Sequence, residues 1–204
     1  MRIFFVRHGE STANVERIFS NRLHPHPLSE LGREQVARLA EQLRDRGIVA
    51  VYSSPIPRAV ESAEILSRAL NVSNEISSAL AEFDVGIYEG RPLDDGWREY
   101  VELEKSWMTG DLDAKISGGE SCNEVRLRFK PFIHQLIEKF RDRADASLLL
   151  VGHGGTFRHA LPCVLSNVSS EFAMAHGLGN VEYVEAELRD SGLHCVRWGH
   201  EVMD

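Results

Sequence analysis

Two short apolar runs, each ending in histidine and glycine, constrain this chain more than any other feature. Ile3-Phe4-Phe5-Val6 passes straight into Arg7-His8-Gly9-Glu10. Leu148-Leu149-Leu150-Val151 passes into Gly152-His153-Gly154-Gly155. Four wholly apolar residues are too few for a helix and suit a strand covered on both faces. In open α/β sheets, ligands bind beyond the carboxyl ends of such strands. Glycine lets the backbone turn sharply there and approach a bound group. If the two strands are parallel neighbours, His8 and His153 face one crevice.

The intervening pattern supports that architecture. Asn14, Asn21 and the His24-Pro25-His26-Pro27 run mark residues 14–28 as a loop. Ser29 predicts the N-cap of a helix of about 17 residues, with Val36, Leu39, Ala40 and Leu43 on its apolar face and Gly47 at its stop. Ile48 to Tyr52 reads as the next buried strand, which completes a βαβ unit and implies a parallel sheet. Ser53-Ser54-Pro55-Ile56-Pro57 then opens a second helix, with the serines as capping candidates. Arg58 falls in its first turn, where a cation opposes the helix dipole unless an anion sits beside it. Residues 75–81 read as a short strand. Residues 91–119 are irregular, with one helix carrying Trp97, Tyr100 and Trp107, and form a candidate cap over the crevice. Ser121 and Glu124 have capping-box spacing, and Pro131 inside the helix that follows predicts a kink or two abutting helices. A further helix is expected from about Gly155. Val181 to Leu188 and Leu193 to Trp198, around Asp190-Ser191-Gly192, predict a hairpin at the sheet edge. The expected fold is a single α/β domain over residues 1–204. It is a three-layer sandwich with a mainly parallel central sheet, helices on both faces and an antiparallel edge strand.

Composition narrows the function. A net charge of −8 argues against a general nucleic-acid binder. It leaves room for an anionic small molecule held by a few local arginines. No apolar run approaches the roughly 18–20 residues of a membrane span, and Met1 leads directly into a strand, so no signal peptide is expected. Cys122, Cys163 and Cys195 have no metal or redox spacing and read as buried thiols of a reducing, cytoplasmic setting. Oligomeric state is not legible, and a homodimer remains open.

Arg7, Arg58, His8 and His153 are the candidates for one site. Arginine's planar fork matches phosphate or carboxylate oxygens. A neutral imidazole can attack phosphorus while a second steadies the transferring group. Such a site needs no metal, only a carboxylic acid to protonate the leaving oxygen. Which carboxylate serves is not fixed by the residues alone. Glu10 reads as an orienting group, and Trp97, Tyr100 and Trp107 more as packing than as substrate contacts. A competing reading is a metal-dependent hydrolase using His8, His24, His26 and His153, since His-x-His can bind zinc. Against it, no acidic residue stands at ligand spacing to the two loop histidines.

Arg7-His8-Gly9-Glu10-Ser11, Arg58 after Ser-Ser-Pro, Glu82 in Leu-Ala-Glu-Phe-Asp-Val-Gly-Ile-Tyr-Glu-Gly, and Gly152-His153-Gly154-Gly155 occur in this order. In this the chain closely resembles the histidine phosphatase superfamily, also called phosphoglycerate mutase-like. The resemblance runs from Arg2 to about Arg158. It implies a phosphohistidine intermediate on His8, with Glu82 as general acid and Asp84 or Glu89 as the alternatives. It implies that Arg7, Arg58 and His153 hold the phosphoryl group, assisted by Asn14, Ser20 and the amide of Gly154. It implies a small phosphomonoester as substrate and no metal or other cofactor. Ala13 stands where many members have tryptophan, and His24-Pro25-His26 replaces a customary aspartate before Pro27-Leu28, so the entrance loop differs. The mutases carry a longer insertion with paired arginines, whereas residues 91–119 hold only Arg91 and Arg98. Hydrolysis is therefore expected over transfer, with a mutase or a silent phosphate-binding module as alternatives.

Overall fold

The computed structural model describes residues 1–22 and 26–203. Seven strands among these form one mixed sheet: β1 (Arg2–Arg7), β2 (Ile48–Ser53), β3 (Asn74–Ile76), β4 (Ser147–Gly152), β5 (Tyr183–Arg189), β6 (Gly192–Trp198) and β7 (Glu201–Val202). Their spatial order is β3-β2-β4-β1-β5-β6-β7. The first four in that order run parallel, and β5, β6 and β7 add on antiparallel beside β1.

The alternation of side chains along the strands builds two apolar layers. Phe4, Val6, Val51, Leu149 and Val151 pack against α2 (Glu30–Leu43) and α3 (Pro57–Leu70). Ile3, Phe5, Leu148 and Leu150 point the other way, onto α5 (Cys122–Phe140) and α6 (Gly154–Ala160). All nine of these strand side chains are buried, so the sheet is covered on both sides as the apolar runs demanded.

β1 pairs with β4 and not with β2, and the register sets Arg7 opposite Gly152. After β1 the chain goes on to α2 on one face, and after β4 it turns into α6 on the other. Adjacent parallel strands whose connections leave to opposite faces open a crevice between their carboxyl ends. His8 and His153 each follow the last residue of their strand, so both stand in that crevice.

Several boundaries differ from expectation. Residues 14–28 are not all loop: α1 (Thr12–Glu16) starts at Ser11, whose side chain accepts from the Asn14 amide while Asn14 bonds back to Ser11. The capping-box signal was missed because asparagine takes the glutamate's place. α2 stops at Leu43, short of Gly47. The expected 75–81 strand shrinks to β3 and gives way to a 3₁₀ turn over Ser78–Leu80. Pro131 lies inside one unbroken α5. It is exposed, so the carbonyl that loses its amide partner faces water. Ser53 and Ser54 do not cap α3, whose N-cap is Ile56 without a side-chain bond. The hairpin is β5–β6, one short strand in from the edge. The segment expected as a cap contributes α4 (Leu93–Met108). Cys163 is half-buried, whereas Cys122 and Cys195 are fully buried. α7 (Ser170–Ala175) completes the helices used below.

Candidate active site

A cavity of about 270 Å³ lies over the β1–β4 crevice, with Arg7, His8, Asn14, Ser20, Arg58, Glu82 and Gly154 in its wall. His8 forms part of the floor and is 3% exposed. Its Nδ1 lies 2.6 Å from the Gly9 carbonyl oxygen. A carbonyl only accepts, so Nδ1 carries the proton and Nε2 a lone pair. The Arg58 Nε–H donates to that Nε2 at 2.9 Å, which requires the same tautomer. Burial, then the charges of Arg58 and Arg7, hold the imidazole well below its usual pKa.

His153 lies edge-on to His8, with ring centroids 5.1 Å apart, and is wholly buried. Its Nε2 is 2.8 Å from the Ser54 hydroxyl, and its Nδ1 is 3.2 Å from Arg58 Nη2. Burial, then Arg58, also depresses its pKa strongly. Arg58 therefore touches both histidines, and its Nη1 donates to the Ser20 carbonyl at 2.6 Å. Burial pushes its guanidinium down to about 10, still charged at neutral pH. Arg7 donates from Nη1 to the Leu178 carbonyl at 2.6 Å. Burial lowers its pKa, and the nearby Glu82 works against that shift.

Glu82 caps α6. Its carboxylate accepts from the amides of Gly155 at 3.0 Å and Thr156 at 2.6 Å. A Cβ on Gly155 would stand 2.8 Å from Glu82 Oε1 and 2.6 Å from the Phe83 ring, so glycine is needed there. Asn14 Oδ1 accepts from Ser11 and, at 3.4 Å, from Asn180. The amide's NH₂ is then the group it has to offer. The Ser20 hydroxyl lies 2.8 Å from His26 Nδ1.

The other carboxylates are engaged elsewhere. Asp84 pairs with Arg22 and caps Gly86, and Glu89 accepts from the amides of Asn21 and Arg22. Glu10 accepts from the Ser29 hydroxyl, the structural task expected of it. Trp107 is buried against Phe83 and His159, while Trp97 borders the cavity. His24 lies outside the described residues. Among those described, no group of three or more His, Cys, Asp or Glu side chains is arranged to hold a metal ion.

Sequence reasoning missed Ser54, Leu178 and Asn180, whose Nδ2 donates to the His8 carbonyl at 3.1 Å. Ser54 and His153 are 99 positions apart, and a serine before a helix reads first as a cap. Nothing local distinguishes the two roles.

The fold and this crevice define a class of α/β proteins with paired histidines and arginines at the carboxyl ends of adjacent parallel strands. The family model for the histidine phosphatase superfamily (branch 1) matches residues 3–201, and the chain belongs to that superfamily. The chain is 30% identical over 200 residues to "Probable phosphoglycerate mutase GpmB" of Yersinia pestis (strain Pestoides F), covering 94% of this chain and 89% of that protein. Among solved structures, a mycobacterial glucosyl-3-phosphoglycerate phosphatase in complex with VO3 superposes with a TM-score of 0.84 at 24% identity, covering 98% of this chain and 99% of that one. The alpha-ribazole phosphatase of Shigella flexneri superposes with a TM-score of 0.79 at 23% identity, covering 100% and 98%. No helix among the described residues is long and apolar enough to cross a membrane.

Proposed function

We propose that this chain hydrolyses phosphomonoesters through a phosphohistidine on His8, without a metal. The observation that carries the reading is the His8 ring itself. The bond to Gly9 puts the proton on Nδ1 and leaves Nε2 with the lone pair, which here accepts from Arg58 Nε and is freed for attack when that guanidinium turns its N–H groups to the phosphoryl oxygens. Nε2 attacks phosphorus and the bond to the alcohol oxygen breaks. Glu82, protonated for this step, gives its proton to that oxygen. Its carboxylate then takes a proton from water as the water oxygen attacks the phosphohistidine and His8 Nε2 departs.

Arg7, Arg58, His153, the Asn14 amide and the Gly154 N–H hold the non-bridging oxygens, and Ser20 supports Arg58 from the loop. Donors already aimed at a charged group need no reorganisation as charge develops. The Ser54 hydroxyl can accept from or donate to His153 Nε2. With Arg58 donating to Nδ1, His153 is the Nε2–H tautomer; with a phosphoryl oxygen at Nδ1, Ser54 can support the Nδ1–H form.

Hydrolysis is favoured over mutase chemistry by the place of the cap-segment arginines. Arg98 is 88% exposed beside Glu99, neither it nor Arg91 lines the cavity, and the two further arginines that do, Arg17 and Arg158, are paired with Asp94 and Glu104. The name of the Yersinia relative keeps transfer between phosphoglycerates as the second reading. The test is incubation with ³²P-labelled phosphomonoester and acid quench. Acid-labile label on the wild type, none on His8→Ala, and release of inorganic phosphate support the proposal. Full turnover by His8→Ala refutes it, and label passed to a second phosphoglycerate in preference to water selects the mutase.

A further inference from the structure

Three aromatic rings climb from the core to the mouth of the cavity. Phe83, 1% exposed, stacks on Tyr100 with centroids 5.6 Å apart and planes at 25°. Tyr100 stacks in turn on Trp97, at 5.4 Å and 9°. Trp97 ends the ladder, 52% exposed and bordering the cavity. Its position is held from both sides of α4. A Cβ at Gly96 would stand 2.5 Å from the Tyr88 ring, so the helix sits hard against that residue. The Leu93 amide donates to the Arg17 carbonyl at 2.7 Å, tying α4 to the end of α1.

A half-exposed indole already fixed parallel to a supporting ring loses little freedom when a further ring stacks on it. The cavity wall combines the apolar Ile18 and Leu93 with the polar Arg17, Asn21 and Arg158. The polar groups of the wall can hold the phosphorylated part of a substrate, and the indole, stacked on Tyr100, offers a flat apolar surface for a ring attached to it. We infer that Trp97 forms a subsite for a planar aromatic ring carried by the alcohol part of the substrate. The inference rests on the phosphomonoesterase reading and specifies its substrate class.

The test compares adenosine 5′-monophosphate with ribose 5-phosphate, which present the same phosphorylated sugar with and without a ring. p-Nitrophenyl phosphate turnover, measured alongside, reports on the hydrolase reading itself. In the wild type, kcat/KM is expected to favour the nucleotide by about tenfold, the scale of one base–aromatic stack. Trp97→Ala should collapse that ratio to within about twofold, and Trp97→Phe should keep most of it. No preference in the wild type, or a preference that survives Trp97→Ala, overturns the subsite while the hydrolase reading stands. Absence of turnover on all three compounds overturns both.

Discussion

Arg58 Nε donates to His8 Nε2 at 2.9 Å, so the arginine proposed to bind a phosphoryl group also holds the nitrogen proposed to attack it. The same guanidinium reaches the Ser20 carbonyl through Nη1 and His153 through Nη2. A lysine ammonium has no rigid fork to span three such partners. Arg58→Lys should therefore lower kcat/KM for p-nitrophenyl phosphate by on the order of a hundredfold, as for loss of an aimed oxyanion donor. Steady-state kinetics checks this, and a loss under threefold contradicts it.

Acidity should act on both rate and stability. His8 and His153 are buried, and burial holds both pKa values well below 6.5. A neutral nucleophile then persists into mildly acidic solution, and the acid limb of the kcat/KM profile attributable to His8 should lie below pH 6.5. For stability the unfolded chain binds protons near pH 6.5 while the folded chain does not. Stability is thus fully present above 6.5 and is lost as pH falls toward the depressed folded values. Urea melts at pH 7.5 and 5.5 should show a smaller pH-dependent loss for His153→Gln than for the wild type.

The Ser54 hydroxyl holds His153 Nε2 at 2.8 Å and accepts from the Ile56 amide at 3.2 Å, so its reach to the site runs through His153. Removing that hydroxyl should tilt the ring, at a cost of about ten- to a hundredfold in kcat, with KM within about threefold. Ser54→Thr, which retains the hydroxyl, should recover most of that loss. The ¹⁵N shifts of His153 should move in Ser54→Ala and stay near wild type in Ser54→Thr. Equal kcat in Ser54→Ala and wild type would contradict the assignment.

Glu82 gives a leaving-group test. Glu82→Gln should cost about 10²-fold or more on an alkyl phosphate, whose alkoxide must be protonated. The loss should be far smaller on p-nitrophenyl phosphate, whose phenolate leaves unaided. Gly155→Ala should mimic part of this effect, because its Cβ would press on the Glu82 carboxylate. Rates on the two esters, measured side by side, decide both points.

The two apolar runs, the paired His-Gly turns and Arg58 were legible because each is a local pattern: burial dictates composition, and a strand's end dictates where a turn residue stands. That was enough for the α/β class, both faces of the sheet and the set of His8, Arg7, Arg58 and His153. Boundaries such as α1 and the end of β3 were less legible, since short caps and 3₁₀ turns have weak signals. Choosing Glu82 over Asp84 and Glu89 on the residues alone required knowing which carboxylate meets the amides of Gly155 and Thr156, more than 70 positions away. Ser54's attachment to His153, and the exposure of Trp97 beside a buried Trp107, likewise depended on distant segments meeting. Local sequence determined which elements form and which chemistry stands at their ends. The pairing of β1 with β4 decided which of those ends share a crevice, because that pairing is settled by packing across the whole sheet.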